Sequence, residues 1–187
     1  MTLYRARPQD GVAWITGAST GIGRQLAFDL AREGYTVAAT SRDEPPLAAL
    51  AQEAAGAPGR IVPFPCDVTD ERGMERIVAS IEKELGPVAL AVFNAGAYHP
   101  TYGERLETFN FVSTFEVNVF GVVYGLVPVA DRMRDRGFGQ IAIVGSITAC
   151  FGLPAAAAYG GSKAALNSIA QSLRYDFDKL NIRLQIV

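Results

Sequence analysis

The side chains that point most directly to chemistry are those of Tyr159 and Lys163, at the two ends of the run YGGSK, with Ser146 thirteen residues upstream. One helical turn separates Tyr159 from Lys163 in an alanine-rich stretch, so a helix would place their Cβ atoms about 5 to 6 Å apart on one face. An ammonium at that distance favours a tyrosinate by about 3 kcal/mol at an effective dielectric of about 20. The three side chains therefore predict an acid–base site that protonates or deprotonates an oxygen while a hydride moves. Alone, the tyrosine–lysine pair equally fits an ordinary helix surface.

Composition narrows the classes of protein that can hold such a site. The chain has 187 residues, 49% of them hydrophobic, which is the size of one domain with a substantial core. Its formal charge of -2 provides no basic surface for neutralising phosphates, so we expect no nucleic-acid partner. Cys66 and Cys150 could form at most one disulfide, which is too few for a disulfide-stabilised fold and is consistent with the reducing cytosol. We predict no metal site.

Two stretches bear on membrane association. Residues 1–11 include charged and polar side chains where a signal peptide has its apolar stretch. The most apolar run, 117–130, contains Asn118 and Pro128 and is too short to span a bilayer. We therefore expect a cytoplasmic protein with no membrane partner.

Short apolar runs alternate along the chain with segments of helical periodicity. Gly86-Pro87 and Gly137 are expected to end two helices, and Asn110 is expected to cap a third. The alternation predicts a single domain, 1–187, with an α/β fold: a doubly wound parallel sheet covered by helices on both faces. The predicted strands are 11–16, 35–40, 60–66, 88–93, 140–144 and 182–187, and the predicted helices are 22–33, 45–55, 70–85, 111–136 and 155–180.

Ligands of such sheets bind beyond the carboxyl ends of the strands. After the first strand, the loop 16–23 reads TGASTGIG and places three glycines between a strand and a helix. Glycines there permit a tight turn and the close approach of a pyrophosphate, which the amides of the helix N-terminus would bind. We interpret this loop as a cofactor-binding loop, with a purely structural turn as the alternative. Its predicted cofactor contacts are Gly17, Ser19, Thr20, Gly21, Ile22 and Gly23.

The residues after the second strand bear on the choice of cofactor. Ser41 and Arg42 follow Thr40 directly. An acidic residue at this place accepts from a ribose 2'-hydroxyl, whereas an arginine pairs with a 2'-phosphate. Arg42 therefore favours NADP(H), with Ser41 as a further predicted cofactor contact, and NAD(H) stays open because Asp43 comes next. An ordinary solvated arginine is the alternative interpretation.

Further candidate groups follow the third and fourth strands. Asp67 and Val68 offer a carboxylate and a backbone amide that can receive the edge of an adenine. Asn94, Ala95 and Gly96 come after the fourth strand, where the glycine lets the chain pass close to a ligand. The carboxyl ends of parallel strands meet at one edge of a sheet, so these groups are predicted to converge with the cofactor loop.

In their order and spacing, these motifs resemble those of the short-chain dehydrogenase/reductase family, and the resemblance extends from the first strand to the end of the chain. The matching stretches are TGASTGIG from Thr16, Asp67-Val68, NAG from Asn94, VNVFG around Asn118, Ser146, and YGGSK from Tyr159.

The resemblance implies a catalytic tetrad of Asn118, Ser146, Tyr159 and Lys163, and hydride transfer between NADP(H) and a carbonyl or secondary alcohol. Tyr159 would be the acid in reduction and the base in oxidation, and Ser146 would hydrogen-bond the substrate oxygen. Lys163, beside Tyr159 in the cofactor site, would hold the nicotinamide ribose and favour the ionised tyrosine. Asn118 would bind a water that relays protons from the lysine to solvent. A buried Asn118 with a local backbone bond is the alternative.

The chain departs from the family pattern in two places. Phe93 stands where the family has an asparagine before NAG. Family members also continue beyond the sixth strand into a substrate-covering loop and a seventh strand, neither of which follows Val187. We therefore expect either a fragment or an edge covered by another chain, because Leu184, Ile186 and Val187 would otherwise lie on an unprotected edge.

The substrate and the partners are less closely defined by the sequence. The residues expected to border the substrate pocket are Ala97, Tyr98, His99, Pro100, Phe151, Gly152 and Leu153. Their mixture of aromatic and aliphatic groups favours an apolar carbonyl or secondary alcohol, although His99 alone also fits an exposed loop. The resemblance implies a homodimer or homotetramer that pairs through the helices 111–136 and 155–180.

Two other functions remain open. A sugar-nucleotide epimerase or dehydratase of the extended type also uses Tyr-x-x-x-Lys, but its glycine loop normally reads G-x-x-G-x-x-G, and the spacing here is G-x-x-x-G-x-G. A protein that binds NADP(H) without catalysis is the second alternative, because the family's C-terminal part does not follow Val187.

Overall fold

Six parallel strands form the sheet on which the fold is built. The computed structural model of the protein describes residues 3–187, so Met1 and Thr2 of the N-terminal stretch lie outside the described residues. The strands are β1 (Val12–Thr16), β2 (Thr36–Thr40), β3 (Arg60–Pro63), β4 (Val88–Phe93), β5 (Gly139–Ile143) and β6 (Ile182–Ile186). They lie in the order β3-β2-β1-β4-β5-β6, and every neighbouring pair is parallel. The predicted doubly wound α/β fold is confirmed.

Helices cover both faces of the sheet. They are α1 (Gly21–Arg32), α2 (Glu44–Glu53), α3 (Glu71–Leu85), α4 (Thr108–Phe115), α5 (Gly121–Arg136) and α6 (Ala157–Lys179). Side chains of α1 and α2 pack on one face of the sheet, and side chains of α3, α5 and α6 pack on the other. A π-helical turn, Glu116–Phe120, joins α4 to α5, and short 3-10 turns occupy Pro8–Asp10 and Ile147–Ala149.

Strand β1 shows why helices must cover both faces of this sheet. All five of its residues are buried, with Ala13 and Ile15 in one core and Val12 and Trp14 in the other. The Trp14 indole packs edge-on against Phe93 at 5.6 Å between ring centroids and donates to Thr40 Oγ1 at 2.9 Å. Burial of the ring therefore leaves no unpaired N–H.

Helix ends follow the predicted chemistry in part. The Asp70 carboxylate accepts from the Gly73 amide and caps α3, an interaction of the kind that contributes about 1 kcal/mol. Gly137 ends α5 at φ 79°, a left-handed conformation that glycine adopts without strain. Asn110, by contrast, was expected to cap the helix before 111, and this is wrong because α4 begins at Thr108, after Glu107.

Two elements differ from prediction. Strand β3 ends at Pro63 rather than at 66, although the amides of Phe64 and Cys66 still donate to the carbonyls of Ala39 and Ser41. The helix predicted over 111–136 is two α-helices joined by the π-helical turn, in which Gly121 N–H bonds to the Glu116 carbonyl. Periodicity alone does not reveal such an insertion.

The continuous helical stretch Thr108–Arg136 is, within residues 3–187, the one helix long and apolar enough to cross a membrane by length and composition. Its inward side chains, among them Leu126, Val129 and Met133, belong to the core that packs against the sheet. Packing in the protein interior therefore accounts for its apolar composition.

Strand β6 forms one edge of the described sheet and pairs only with β5 there. Leu184 lies on this edge strand with its side chain buried in the core, whereas the side chains of Ile186 and Val187 are exposed.

Candidate active site

The glycine loop between β1 and α1 is held close to the loop that follows β4. Gly17 has φ +68°, and a Cβ there would lie 2.8 Å from the Ala95 Cα. A Cβ on Gly23 would overlap the Gly17 carbonyl oxygen and the Asn94 side-chain nitrogen. Both positions therefore require glycine, one for its backbone conformation and both for close packing.

Hydrogen bonds from Asn94 and Thr16 fasten these two loops together. The Asn94 amide nitrogen Nδ2 donates to the carbonyls of Thr16 and Gly17 at 3.1 and 3.0 Å. Thr16 Oγ1 accepts from the backbone amides of Asn94 and Ala95 at 3.1 and 3.2 Å. The side chain of Asn94, predicted as a cofactor contact, thus also sets the shape of the loop.

A cleft of about 1000 Å³ opens above this loop at the carboxyl edge of the sheet. Thr20 precedes α1 without a side-chain cap, and the first amides of an α-helix have no intrahelical acceptor. The cleft is lined by most of the predicted cofactor contacts: Gly17, Ser19, Thr20, Gly21, Ile22, Ser41, Arg42, Asp67, Val68, Asn94, Ala95 and Gly96. Gly23 does not line the cleft and packs beneath it.

The surface of this cleft fits a dinucleotide. Gly21 has φ +55° with open space where a Cβ would stand, so its backbone is accessible to a ligand. Hydroxyls of Ser19 and Thr20 and the free amides of α1 are donors suited to a pyrophosphate.

Arg42 and Asp67 lie along the outer part of the same cleft. Arg42 is exposed and makes no ion pair with any residue of the described chain. Asp67 Oδ1 accepts from the Thr69 amide at 2.9 Å and from its hydroxyl at 2.8 Å, which orients the carboxylate. The neighbouring Asp43 carbonyl accepts from the Ser41 hydroxyl at 3.2 Å.

A second cleft, of about 500 Å³, holds Tyr159 and Lys163. It shares Ile22, Asn94, Gly96 and Ala97 with the first cleft, above the glycine loop, so the two clefts form one continuous groove. The tyrosine–lysine pair therefore faces the same ligand space as the glycine loop.

Lys163 is buried at the floor of this second cleft. Its Nζ donates to the Val144 carbonyl at 2.7 Å and lies 5.8 Å from the centroid of the Tyr159 ring. Burial lowers the pKa of the Lys163 amine, because surroundings of low dielectric disfavour the ammonium. Gly96 has no side chain to cover this amine, since a Cβ there would stand 4.0 Å from Nζ.

Asn118 lies behind the clefts, in the π-helical turn, and is fully buried. Its Oδ1 accepts from the Ala97 amide at 2.7 Å, and its Nδ2 donates to the Ala97 carbonyl and to Ser162 Oγ, both at 3.0 Å. The side chain thus ties the loop after β4 to α6. The predicted water relay stays a prediction.

Ser146 follows β5 at the start of the 3-10 turn Ile147–Ala149 and is half-buried. Its hydroxyl oxygen is bonded to Thr148, and Thr148 lines the second cleft beside Tyr159. The turn therefore brings Thr148 into the second cleft, whereas Ser146 lines neither cleft.

The predicted substrate-side residues divide into two groups. Ala97 lines both clefts, Tyr98 and Leu153 line the second, and His99 lines the first. The Tyr98 ring meets the Tyr159 ring edge-on at 5.5 Å, and its hydroxyl donates to the Ala155 carbonyl. Pro100, Phe151 and Gly152 line neither cleft.

Sequence reasoning missed three contributors to the site. Thr16 and Ser162 act through hydrogen bonds to residues distant in the chain. Thr148 reaches the cleft because the chain turns sharply after Ser146. Thr16 opens the TGASTGIG loop and Ser162 lies inside the YGGSK run, but neither motif predicts their hydrogen bonds, and Thr148 belongs to no motif.

Comparison with known proteins agrees with this architecture. Residues 11–187 match the family model described as short chain dehydrogenase. A 2,3-dihydro-2,3-dihydroxybenzoate dehydrogenase of Bacillus subtilis is 35% identical over 176 residues, covering 94% of this chain and 67% of the relative. The 3-oxoacyl-[acyl-carrier-protein] reductase MabA of Mycobacterium avium is 30% identical over 173 residues, 92% of this chain and 64% of the relative. A 3-ketoacyl-ACP reductase structure from Sinorhizobium meliloti superposes with a TM-score of 0.86 at 35% identity, over 94% of this chain and 70% of that one.

The chain therefore belongs to the short-chain dehydrogenase family, whose members are oxidoreductases that use NAD(H) or NADP(H). It spans about two thirds of the length of these relatives.

Proposed function

We propose that the protein binds NADP(H) and interconverts a carbonyl group and a secondary alcohol, with Tyr159 as the acid in reduction and the base in oxidation. The observation that carries this proposal is the continuous groove that joins the glycine loop to Tyr159 and Lys163. A phosphate-binding loop and a proton-transfer pair in one groove suit a reaction in which a hydride and a proton reach the same carbonyl group.

The chain's own residues handle the proton. In reduction, Tyr159 Oη and Ser146 Oγ donate hydrogen bonds to the carbonyl oxygen, and the Tyr159 proton moves to that oxygen as it becomes a hydroxyl. When bound, the nicotinamide supplies the hydride in reduction and accepts it in oxidation. Lys163, whose pKa burial lowers, gives up a proton more readily than a surface lysine, which suits the return of a proton to Tyr159.

The lining of the second cleft favours a substrate with apolar surface next to the reacting carbon. Tyr98, Leu153 and Pro154 form its outer part, and the described residues lining this cleft include no charged side chain besides Lys163. Two relatives are named for a dihydroxylated benzoate derivative and for a 3-oxoacyl group. Both name a carbinol or carbonyl carbon within a larger carbon framework, as proposed here.

The test is reduction of a panel of aromatic and aliphatic ketones and 3-oxoacyl thioesters, and oxidation of vicinal diols, with both nicotinamide cofactors. We expect oxidation of NADPH that depends on a ketone of the panel. Tight binding of NADPH without turnover of any compound would instead favour the alternative of a non-catalytic binding protein.

Arg42 is expected to set the preference for NADP(H). Its guanidinium is free in the cleft, and a charge-assisted hydrogen bond from such a group contributes about 1.5 to 3 kcal/mol. Arg42→Ala should therefore raise the KM for NADPH by a factor of about 10 to 100 and leave the KM for NADH nearly unchanged. The matched control is Arg72→Ala, which removes an exposed arginine of α3 that lies outside the cleft. Equal effects on both cofactors would contradict the assignment.

We also propose that the protein pairs with a second copy through the helices 111–136 and 155–180. Phe120 and Val127 in the first of these stretches are exposed at 45% and 55%. Light scattering measures the mass in solution, and a monomer at micromolar concentration would count against this pairing.

A further inference from the structure

Thr148 lies between Ser146 and helix α6, which carries Tyr159 and Lys163. It lies in the 3-10 turn Ile147–Ala149, which begins directly after Ser146 at the end of β5. It also lines the cleft that contains Tyr159 and Lys163, whereas Ser146 does not line that cleft.

Two hydrogen bonds join Thr148 to the hydroxyl of Ser146. Ser146 Oγ accepts from the Thr148 amide at 3.2 Å, and the two hydroxyl oxygens lie 2.8 Å apart. Either hydroxyl can donate in the second bond, because each has one proton and two lone pairs. The two bonds hold Ser146 Oγ in place, and no other residue of the described chain bonds to it.

The packing of α6 keeps the turn in place. Gly160 follows Tyr159 directly, and a Cβ at that position would lie 3.1 Å from the Thr148 carbonyl oxygen. The missing side chain lets α6 approach the turn closely. The hydroxyl of Thr148 and the phenol of Tyr159 are therefore carried by two elements in direct contact.

We infer that Thr148 is a positioning residue, whose hydroxyl and amide hold the Ser146 hydroxyl in place for a hydrogen bond to the substrate oxygen. This inference rests on the proposed function and deepens it. The acceptor oxygen of a carbonyl or a forming alkoxide is the group that such a serine recognises. The threonine acts through its hydroxyl rather than its volume, which separates this role from simple packing.

Thr148→Val removes the hydroxyl and nearly preserves the volume, and Thr148→Ser preserves the hydroxyl. We expect Thr148→Val to lower kcat about tenfold with an unchanged Kd for NADPH, because it removes one hydrogen bond that positions a donor. Thr148→Ser should stay within about twofold of the wild-type kcat. In a Ser146→Ala background, Thr148→Val should cause no further decrease, since Thr148 acts through Ser146.

Two outcomes would overturn the inference. One is a wild-type kcat in Thr148→Val, and the other is an equal decrease with and without Ser146. Crystal structures of the two Thr148 variants give a readout that does not depend on turnover. The Ser146 Oγ should keep its position in Thr148→Ser and leave it in Thr148→Val, and an identical position in both overturns the inference. A wild-type protein that reduces no carbonyl would defeat the proposed function, whereas the crystal structures still decide the role of Thr148.

Discussion

Tyr159→Phe is expected to abolish turnover while leaving the binding of NADPH intact. The change removes only Oη, the atom that we propose gives its proton to the substrate oxygen. The ring that packs edge-on against Tyr98 at 5.5 Å stays, so the cleft keeps its shape. A positioned acid contributes a factor of about 10² to 10⁴ in rate, and kcat should fall by at least that factor. Steady-state kinetics and a fluorescence titration with NADPH measure the two quantities.

The same helix offers a matched control for this experiment. Tyr175 and Lys179 have the spacing of Tyr159 and Lys163 in α6, and Lys179 Nζ lies 4.1 Å from the centroid of the Tyr175 ring. Tyr175 is 71% exposed and lies outside both clefts. Tyr175→Phe should therefore leave kcat unchanged. Full activity in a folded Tyr159→Phe protein would show that the proton comes from another group.

Gly23→Ala is expected to have the largest effect on cofactor binding. Its new methyl group would overlap the Gly17 carbonyl oxygen and the Asn94 amide nitrogen, which hold the cofactor loop against the loop after β4. Overpacking of this kind costs about 1 to 3 kcal/mol of folding stability. Displacement of the loop should also remove one or two hydrogen bonds to phosphate, each worth about 1.5 to 3 kcal/mol, and so raise the Kd for NADPH by a factor of at least about 10 to 100.

Isothermal titration with NADPH and a thermal melt separate the two parts of this prediction. Gly103→Ala is the control, because a Cβ there would meet no atom within 4 Å and the residue has no left-handed φ. We expect the control to bind NADPH as the wild type does. An unchanged Kd in Gly23→Ala would mean that the loop between β1 and α1 does not form the phosphate site.

The regular part of the fold follows from local patterns that the sequence shows directly. Apolar strands alternate with amphipathic helices, and this alternation leaves a parallel sheet covered on both faces as the stable arrangement. The division of the helix predicted over 111–136 has a cause outside such patterns. The π-helical turn around Asn118 coincides with bonds to Ala97 and Ser162, which are distant in sequence.

The sequence predicted those parts of the candidate site that consist of consecutive residues. The glycine loop, Ser41-Arg42 and the YGGSK run are contiguous motifs, and all of them lie along the one groove. The hydrogen bonds of Thr148 to Ser146 and those between Thr16 and Asn94 were not predicted. These bonds depend on how turns approach one another across the carboxyl edge of the sheet, and no local spacing encodes that approach.

By itself, the sequence determined the order of strands and helices, the glycine loop and the candidate proton-transfer pair, because local periodicity and short motifs carry that information. It could not separate Tyr159-Lys163 from Tyr175-Lys179 by spacing, since both pairs read Tyr-x-x-x-Lys on one helix. The tertiary structure shows that the two pairs have different surroundings. The first pair lies under the carboxyl edge of β4 and β5, where Lys163 is buried against Val144, and the second lies on the surface. Burial beside a ligand groove is a property of the whole fold, because it depends on which elements pack over that part of the helix.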